Sequence, residues 1–334
     1  MSAAPVYRAD DRSLLLPYYK RWFVEPTLPF IPARVHPNTI THTGHLLCLA
    51  GAVLLVGAQA SRGPVFIAAM LLLQAYNWCD NADGAHARRT RQSSATGEFL
   101  DHGLDLLNTT YIALMTVCCL GSSPEYTIML TLLIPGAAAM TCWEQTETGV
   151  FRMGLLNQIE SVMVLSTTLL ISALYGTGFY RQVHIGPVTL WQFLHLWPIA
   201  TILFGKVRGL QRVATANRPI APALAFLAAQ AAIAAAGLHG EISMVSAVAL
   251  ATAVNLYFGA RMLAARLRSE ASPTDPLFLL TALAVGALPA LHAAGVQVSG
   301  NVALAVPVLA CAVLGLSSMR NVRDGFASLH RLEP

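Results

Sequence analysis

The amino-acid sequence predicts an all-α, polytopic membrane protein with about ten transmembrane helices and a short N-terminal interfacial helix. Three observations lead there. Of the 334 residues, 55% are hydrophobic and 11% charged, with a mean hydropathy of +0.56. A soluble chain of this size carries about 25% charged residues. Apolar stretches of roughly 17–25 residues, long enough to span a bilayer, recur about ten times. The basic residues fall in alternate links between those stretches, as the positive-inside rule requires.

Taken in order, the first apolar stretch is short, contains Pro17 and is flanked by Arg12, Lys20 and Arg21. It reads as a helix lying in the membrane interface, and no signal peptide is visible. Spanning stretches follow at 39–60, 63–82, 97–120, 125–146, 158–179, 188–205, 219–238, 241–262, 276–294 and 300–319. Gly, Pro, Asn or charge marks the breaks, as at Arg62-Gly63-Pro64, Ser122-Ser123-Pro124, Gly176-Thr177-Gly178, Ala216-Asn217-Arg218-Pro219 and Ser272-Pro273-Thr274. With the N-terminus inside and ten spans, 19 of the 21 Lys and Arg residues face the cytoplasm, leaving Arg62 and Arg181 opposite. That map puts both termini, and the link between the second and third spans, on the cytoplasmic side.

The six cysteines (Cys48, Cys79, Cys118, Cys119, Cys142 and Cys311) all fall in apolar segments without disulfide or zinc spacing, and read as packing residues. Two lysines against nineteen arginines, with abundant alanine, point to a bacterial gene and so to an inner membrane rather than the endoplasmic reticulum.

The chemistry is concentrated between Asp80 and Asp105. Asp80 and Asp83 are three residues apart and share a helical face, as do Asp101 and Asp105 at a spacing of four. A short polar link, Arg88 to Thr96, lets the two helices run antiparallel so that both pairs can converge. Four carboxylates at a bilayer edge are costly unless a positive charge neutralises them. The natural partners are hard, oxygen-liganded divalent cations, Mg²⁺ or Mn²⁺. Two such ions could clamp a diphosphate. Solvated loop charges, or pairing with the neighbouring arginines, are the plainer alternatives. Gly84 and Gly97 lack a Cβ and would allow close approach to the backbone. Arg88 and Arg89 could bind phosphate oxygens bidentately.

The fixed spacing Asp80-x2-Asp83-Gly84-x2-Ala87-Arg88-x8-Gly97-x3-Asp101-x3-Asp105 resembles the signature of the CDP-alcohol phosphotransferase family. The resemblance implies a membrane transferase of substituted phosphate groups. Its four aspartates would build a two-metal site that binds a CDP-alcohol, and a hydroxyl nucleophile would displace CMP. Residues between the fixed positions (Arg89-Thr90, Ser93-Ser94, Glu98, His102-Gly103) resemble the choline/ethanolamine phosphotransferase branch. So do Pro37-Asn38-Thr39-Ile40-Thr41 upstream, and Trp143-Glu144, Thr148-Gly149, Gly154, Asn157 and Glu160 downstream. No matching motif follows residue 165 or so.

This branch implies CDP-ethanolamine or CDP-choline as donor, diacylglycerol drawn from membrane lipid as acceptor, CMP as product, a homodimer, and no nucleic-acid partner. His102 follows a metal ligand directly and lies one helical turn before Asp105. Its imidazole would remove the acceptor's proton, with Asp105 as the fallback base. Asn38, Gly84, Arg88, Gly97, Glu98, Asn157 and Glu160 are the expected substrate- or nucleotide-binding residues. Glu144, Tyr76, Trp78, Tyr111 and Trp143 are candidates around an ammonium headgroup. The expected organisation is a cytoplasmic segment at 1–37, a catalytic core at 38–180, and C-terminal helices at 181–334 supplying an acceptor-lipid chamber and dimer contacts. Two rivals remain: transfer from CDP-diacylglycerol to a small polyol, and a transporter or metal carrier. The latter would spread ionisable residues along a mid-membrane path.

Overall fold

Hydropathy, proline and capping residues translate into ten long helices among the residues that the computed structural model describes, 8–58, 63–154, 157–272 and 274–329. Arg62, Arg331 and Pro273 lie outside them. The helices are α1 (Pro37–Gly57), α2 (Gly63–Thr90), α3 (Ala95–Leu120), α4 (Pro124–Thr148), α5 (Gln158–Tyr175), α6 (Leu190–Thr215), α7 (Ala221–Leu238), α8 (Met244–Leu267), α9 (Pro276–Ala293) and α10 (Gly300–Leu329). Eight are long and apolar enough to cross a bilayer by length and composition. The other two are α2, which carries Asp80, Asp83, Arg88 and Arg89, and α6, which carries Lys206, Arg208 and Arg212. The protein is an all-α, multi-pass membrane protein. Its six cysteines are unpaired.

Local chemistry sets the helix ends. Pro37 opens α1 behind His36, whose Nδ1 accepts from Asn38 N at 3.2 Å. Ser94 caps α3, its hydroxyl accepting from Gly97 N at 3.0 Å. Gly121 closes α3 and Gly149 closes α4 in the left-handed region, at φ +55° and +73°. Asn157 and Glu160 form a reciprocal capping box at the start of α5.

Packing divides the chain into two units. One comprises Ala9–Gly121 and Arg152–Leu194, and the other Ser122–Phe151 with the chain from His195 onward. The packing thus groups residues 122–151, inside the expected 38–180 core, with the later helices.

In the first unit α1 and α5 each pack against both aspartate-bearing helices, α2 and α3. They therefore set the spacing of those helices. Leu73, Phe66, Met115, Leu165 and Leu169 fill the core between them. The chain before α1 lies along this unit as short helical turns at Leu16–Tyr19, Lys20–Val24 and Leu28–Phe30. Tyr19, Val24 and Leu28 are buried against Ile40, Cys79 and Ile159, whereas Tyr18, Trp22 and Phe30 are exposed. This two-faced arrangement is the one expected of an interfacial segment.

α1 approaches α2 closely at Gly44, where an added Cβ would lie 2.8 Å from Cys79 Cβ. Carbon atoms normally meet at about 3.5–4.0 Å. Gly44→Ala is therefore expected to push the helices apart at a cost of about 1–3 kcal/mol. A lowered midpoint of thermal unfolding would show it, and an unchanged midpoint would mean that the contact relaxes freely.

In the second unit α4 packs on α7 and α8, with α8 against α10 and α7 against α9. Charged groups here are buried with partners, as an apolar setting requires. Glu144 receives Arg212 through two contacts of 2.6 Å. Lys206 Nζ donates to Gln230 Oε1 at 2.7 Å, and Gln230 Nε2 donates to Asn255 Oδ1 at 2.7 Å.

Candidate active site

Asp80 on α2 and Asp101 and Asp105 on α3 converge. One carboxylate oxygen from each lies within 4.8 Å of the other two, and all three residues are half-buried. Asp83 turns a different way and is buried, accepting from Thr41 Oγ1 at 2.6 Å and from Gly84 N at 2.5 Å. Four carboxylates were expected to share one cluster, and three do so tightly while the fourth faces α1. Helical geometry explains the difference. A step of three residues rotates by about 300°, so Asp83 sits roughly 60° around α2 from Asp80, whereas a step of four leaves about 40°.

Neutral donors surround the cluster. Gln158 Nε2, from the first turn of α5, donates to Asp80 Oδ2 and to Tyr76 Oη, each at 2.9 Å. Tyr76 Oη and Asn108 Nδ2 both donate to Asp105 Oδ1 at 3.4 Å, and Asn108 Oδ1 meets His45 Nδ1 at 3.0 Å.

Two ionised carboxylates about 4.8 Å apart repel by roughly 3–4 kcal/mol at an effective dielectric of 20. Three mutual repulsions therefore come to about 10 kcal/mol. A hydrogen bond to a charged group returns about 1.5–3 kcal/mol, so the donors offset only part of the cost. A divalent cation fits the remainder. Octahedral coordination at about 2.1 Å places ligand oxygens roughly 3.0–4.2 Å apart, close to the spacing present. The donor set is all oxygen, which suits Mg²⁺ or Mn²⁺.

The other expected site residues are placed as follows. His102 is buried on α3, 8% exposed, between Asp101 and Asp105 in sequence. Glu98 lies in the first turn of α3, half-buried, one turn before Asp101. Gly97 faces Asn38, since a Cβ on it would come 3.5 Å from Asn38 Oδ1. A Cβ on Gly84 would meet Arg88 Nη1 at 3.4 Å. Arg88 is exposed. Arg89, offered for phosphate, instead grips the chain before α1, donating to Ile31 O at 2.6 Å and contacting His86 Nδ1 at 3.1 Å.

Asn157 and Glu160 are engaged in the α5 capping box. They also hold the N-terminal segment, through Asn157 Nδ2 to Asp11 Oδ1 at 2.7 Å and Ser13 Oγ to Glu160 Oε1 at 2.7 Å. Leu15 N adds a third bond to Glu160 Oε1 at 2.9 Å. Of the aromatic candidates, only Tyr76 hydrogen-bonds a cluster aspartate among the described residues. Trp78 Nε1 donates to Thr27 Oγ1 at 2.9 Å, and Tyr111 lies against the His45 ring at 5.6 Å. Trp143 and Glu144 belong to the second unit, where Trp143 is fully buried and Glu144 is paired with Arg212.

Sequence reading missed Gln158, Asn108 and His45, and gave Thr41 no role. Two signals were available. Asn108 lies three residues after Asp105, and His45 four after Thr41, each at a helical spacing that shares a face. Gln158 is the first residue of a membrane-length helix, a polar amide beside the Asn157–Glu160 capping box.

A family model described as CDP-alcohol phosphatidyltransferase matches residues 34–205, just over half of the chain. The chain is similar to Cholinephosphotransferase 1 of Danio rerio, 32% identical over 188 residues that cover 53% of this chain and 48% of that protein. It is also similar to CDP-diacylglycerol–serine O-phosphatidyltransferase of Encephalitozoon cuniculi, at 30% over 65% of this chain and 56% of that one. Choline/ethanolaminephosphotransferase 1 of Saccharomyces cerevisiae is 23% identical over 55% of this chain and 49% of its own length. The chain thus spans about half the length of these curated relatives.

Proposed function

Since this chain belongs to the CDP-alcohol phosphatidyltransferase family, we propose that it transfers phosphocholine or phosphoethanolamine from CDP-choline or CDP-ethanolamine to diacylglycerol, releasing CMP. The observation that carries this reading is the three-carboxylate cluster of Asp80, Asp101 and Asp105, set in a chain similar to Cholinephosphotransferase 1. These residues, with Asp83 alongside, would hold two Mg²⁺ or Mn²⁺ ions. When bound, such ions neutralise a diphosphate and stabilise its departing oxygen.

The residues of the chain divide the remaining work. Arg88, exposed beside Gly84, would contact the phosphates from the helix end. The acceptor hydroxyl oxygen attacks the phosphorus that bears the amino alcohol. The bond from that phosphorus to the bridging oxygen breaks, and CMP leaves with the bridging oxygen. The hydroxyl proton passes to an imidazole nitrogen of His102, which general-base action of this kind makes worth about 10²–10⁴-fold in rate. Asn38, Gly97 and Glu98, grouped at the starts of α1 and α3, would meet the nucleotide. The charge map favours a cytoplasmic opening, the arginine- and alanine-rich composition favours a bacterial inner membrane, and the two chains of a homodimer would each carry one such site.

Similarity to the serine phosphatidyltransferase supports a second reading, in which CDP-diacylglycerol is the donor and a small hydroxyl compound the acceptor. The purified full-length chain, supplied with Mg²⁺ or Mn²⁺, separates them. CMP release is measured for CDP-choline and CDP-ethanolamine with diacylglycerol, and for CDP-diacylglycerol with serine or a polyol. Release with the first set, and phospholipid formed in equal amount, is the expected result. Release confined to the second set would replace the proposal by the alternative.

A further inference from the structure

Gln158 sits where one side chain touches two halves of the cluster. Its amide nitrogen carries two hydrogens and meets two acceptors, Asp80 Oδ2 and Tyr76 Oη, each at 2.9 Å. Because the Tyr76 oxygen accepts from Gln158, its own proton is left to point at Asp105 Oδ1, 3.4 Å away. Asp80 and Asp105 thereby each have one oxygen tied by a neutral donor. Apart from these donors, the Asp80 and Asp105 carboxyl groups face each other as a hydrogen-bonded pair.

The same logic runs on the far side of Asp105. Asn108 must present Nδ2 to the carboxylate, because its oxygen would be repelled there, so Oδ1 faces His45 Nδ1 at 3.0 Å. Carboxylates that ligate a metal are commonly held by such outer hydrogen bonds, whose loss costs about 10–100-fold in affinity or activity.

We propose that Gln158 is a positioning residue that selects which oxygen Asp80 presents to the metal site and, through the Tyr76 hydroxyl, which oxygen Asp105 presents. The inference rests on the metal-site reading above. It makes the opening turn of α5 part of the site, although this helix carries none of the four aspartates. An unrestrained Asp80 could turn either oxygen, or both, toward an ion. The Gln158 amide removes that freedom before the ion arrives, at a position where its fixed backbone is locked by the Asn157–Glu160 capping box.

The test is Gln158→Met, which keeps length and bulk but removes the donor, measured on the purified full-length chain. Free Mn²⁺ is titrated by its electron paramagnetic resonance signal with CDP present, and thermal unfolding is followed in parallel without metal. The expected result is Mn²⁺ affinity weakened about ten-fold, with the metal-free chain still folded and its unfolding midpoint lowered only by the loss of the two hydrogen bonds. A merely structural glutamine would lower the midpoint and leave Mn²⁺ affinity at its wild-type value. Tyr76→Phe removes only one hydroxyl and is expected to weaken Mn²⁺ binding in the same direction by a smaller factor. If Gln158→Met does not fold, Tyr76→Phe decides alone. Wild-type affinity in the folded variant that decides overturns the inference. Failure of the wild-type chain itself to bind Mn²⁺ would instead defeat the metal-site reading on which it rests.

Discussion

Asp101→Asn is expected to lower turnover by about three orders of magnitude, the scale of losing a principal electrostatic stabiliser, and to remove metal-dependent binding of CDP with it. Asparagine keeps the shape and one oxygen of the side chain but not the charge. In a group whose three oxygens lie within 4.8 Å, that change removes one of three acidic groups and halves the ligating capacity of one corner. Unfolding stability in the absence of metal should rise or stay constant, since a repulsion of roughly 3–4 kcal/mol per neighbour is relieved. Equilibrium binding of CDP with and without Mn²⁺ checks the first part, and thermal unfolding the second. CDP binding that stays fully metal-dependent in this variant would remove Asp101 from the ligand set.

His102→Ala is expected to act on a different quantity. The proton of the acceptor hydroxyl has to leave as the new P–O bond forms, and loss of a positioned base costs about 10²–10⁴-fold in rate. The aspartates are untouched, so CDP should bind in Mn²⁺ with its wild-type affinity. A split between lost turnover and retained binding is the signature sought. Loss of both together would make His102 a packing residue, consistent with its burial at 8% exposure. Retention of turnover would shift the base role to Asp105.

How much of this was legible beforehand depends on what each signal measures. All ten expected spans correspond to helices, because apolar length is imposed by the bilayer and shows directly in composition. The ends were less legible. α2 runs to Thr90 rather than 82, α6 to Thr215 rather than 205, and α10 to Leu329 rather than 319. Hydropathy reports where lipid touches the helix, whereas backbone hydrogen bonding continues until a cap or a turn stops it. At the end of α2 that stop is Arg91, in the left-handed region at φ 59°.

The site shows the same division. The aspartates could be read as a constellation because their spacing is local. That Arg89 binds Ile31 O, that Arg212 pairs with Glu144, and that Gln158 holds Asp80 are contacts between residues 58, 68 and 78 positions apart. Such pairings depend on how helices pack, and local periodicity carries no record of them.

The N-terminal segment has a consequence for how the protein is made. Ser13 bonds Glu160 across 147 residues, and Asp11 bonds Asn157 across 146. At about 5–20 residues per second, a ribosome that has released Ser13 needs roughly 7–30 s more to deliver its partner. Four helices must enter the membrane in that interval. The segment preceding α1 is therefore the earliest part of the first unit to be synthesised and among the last to settle. The turn of α5 that receives it is the same turn that steadies Asp80. Completion of the hydrogen bonds around Asp80 and fastening of the segment around Ser13 thus both wait for α5, near the middle of the chain's synthesis.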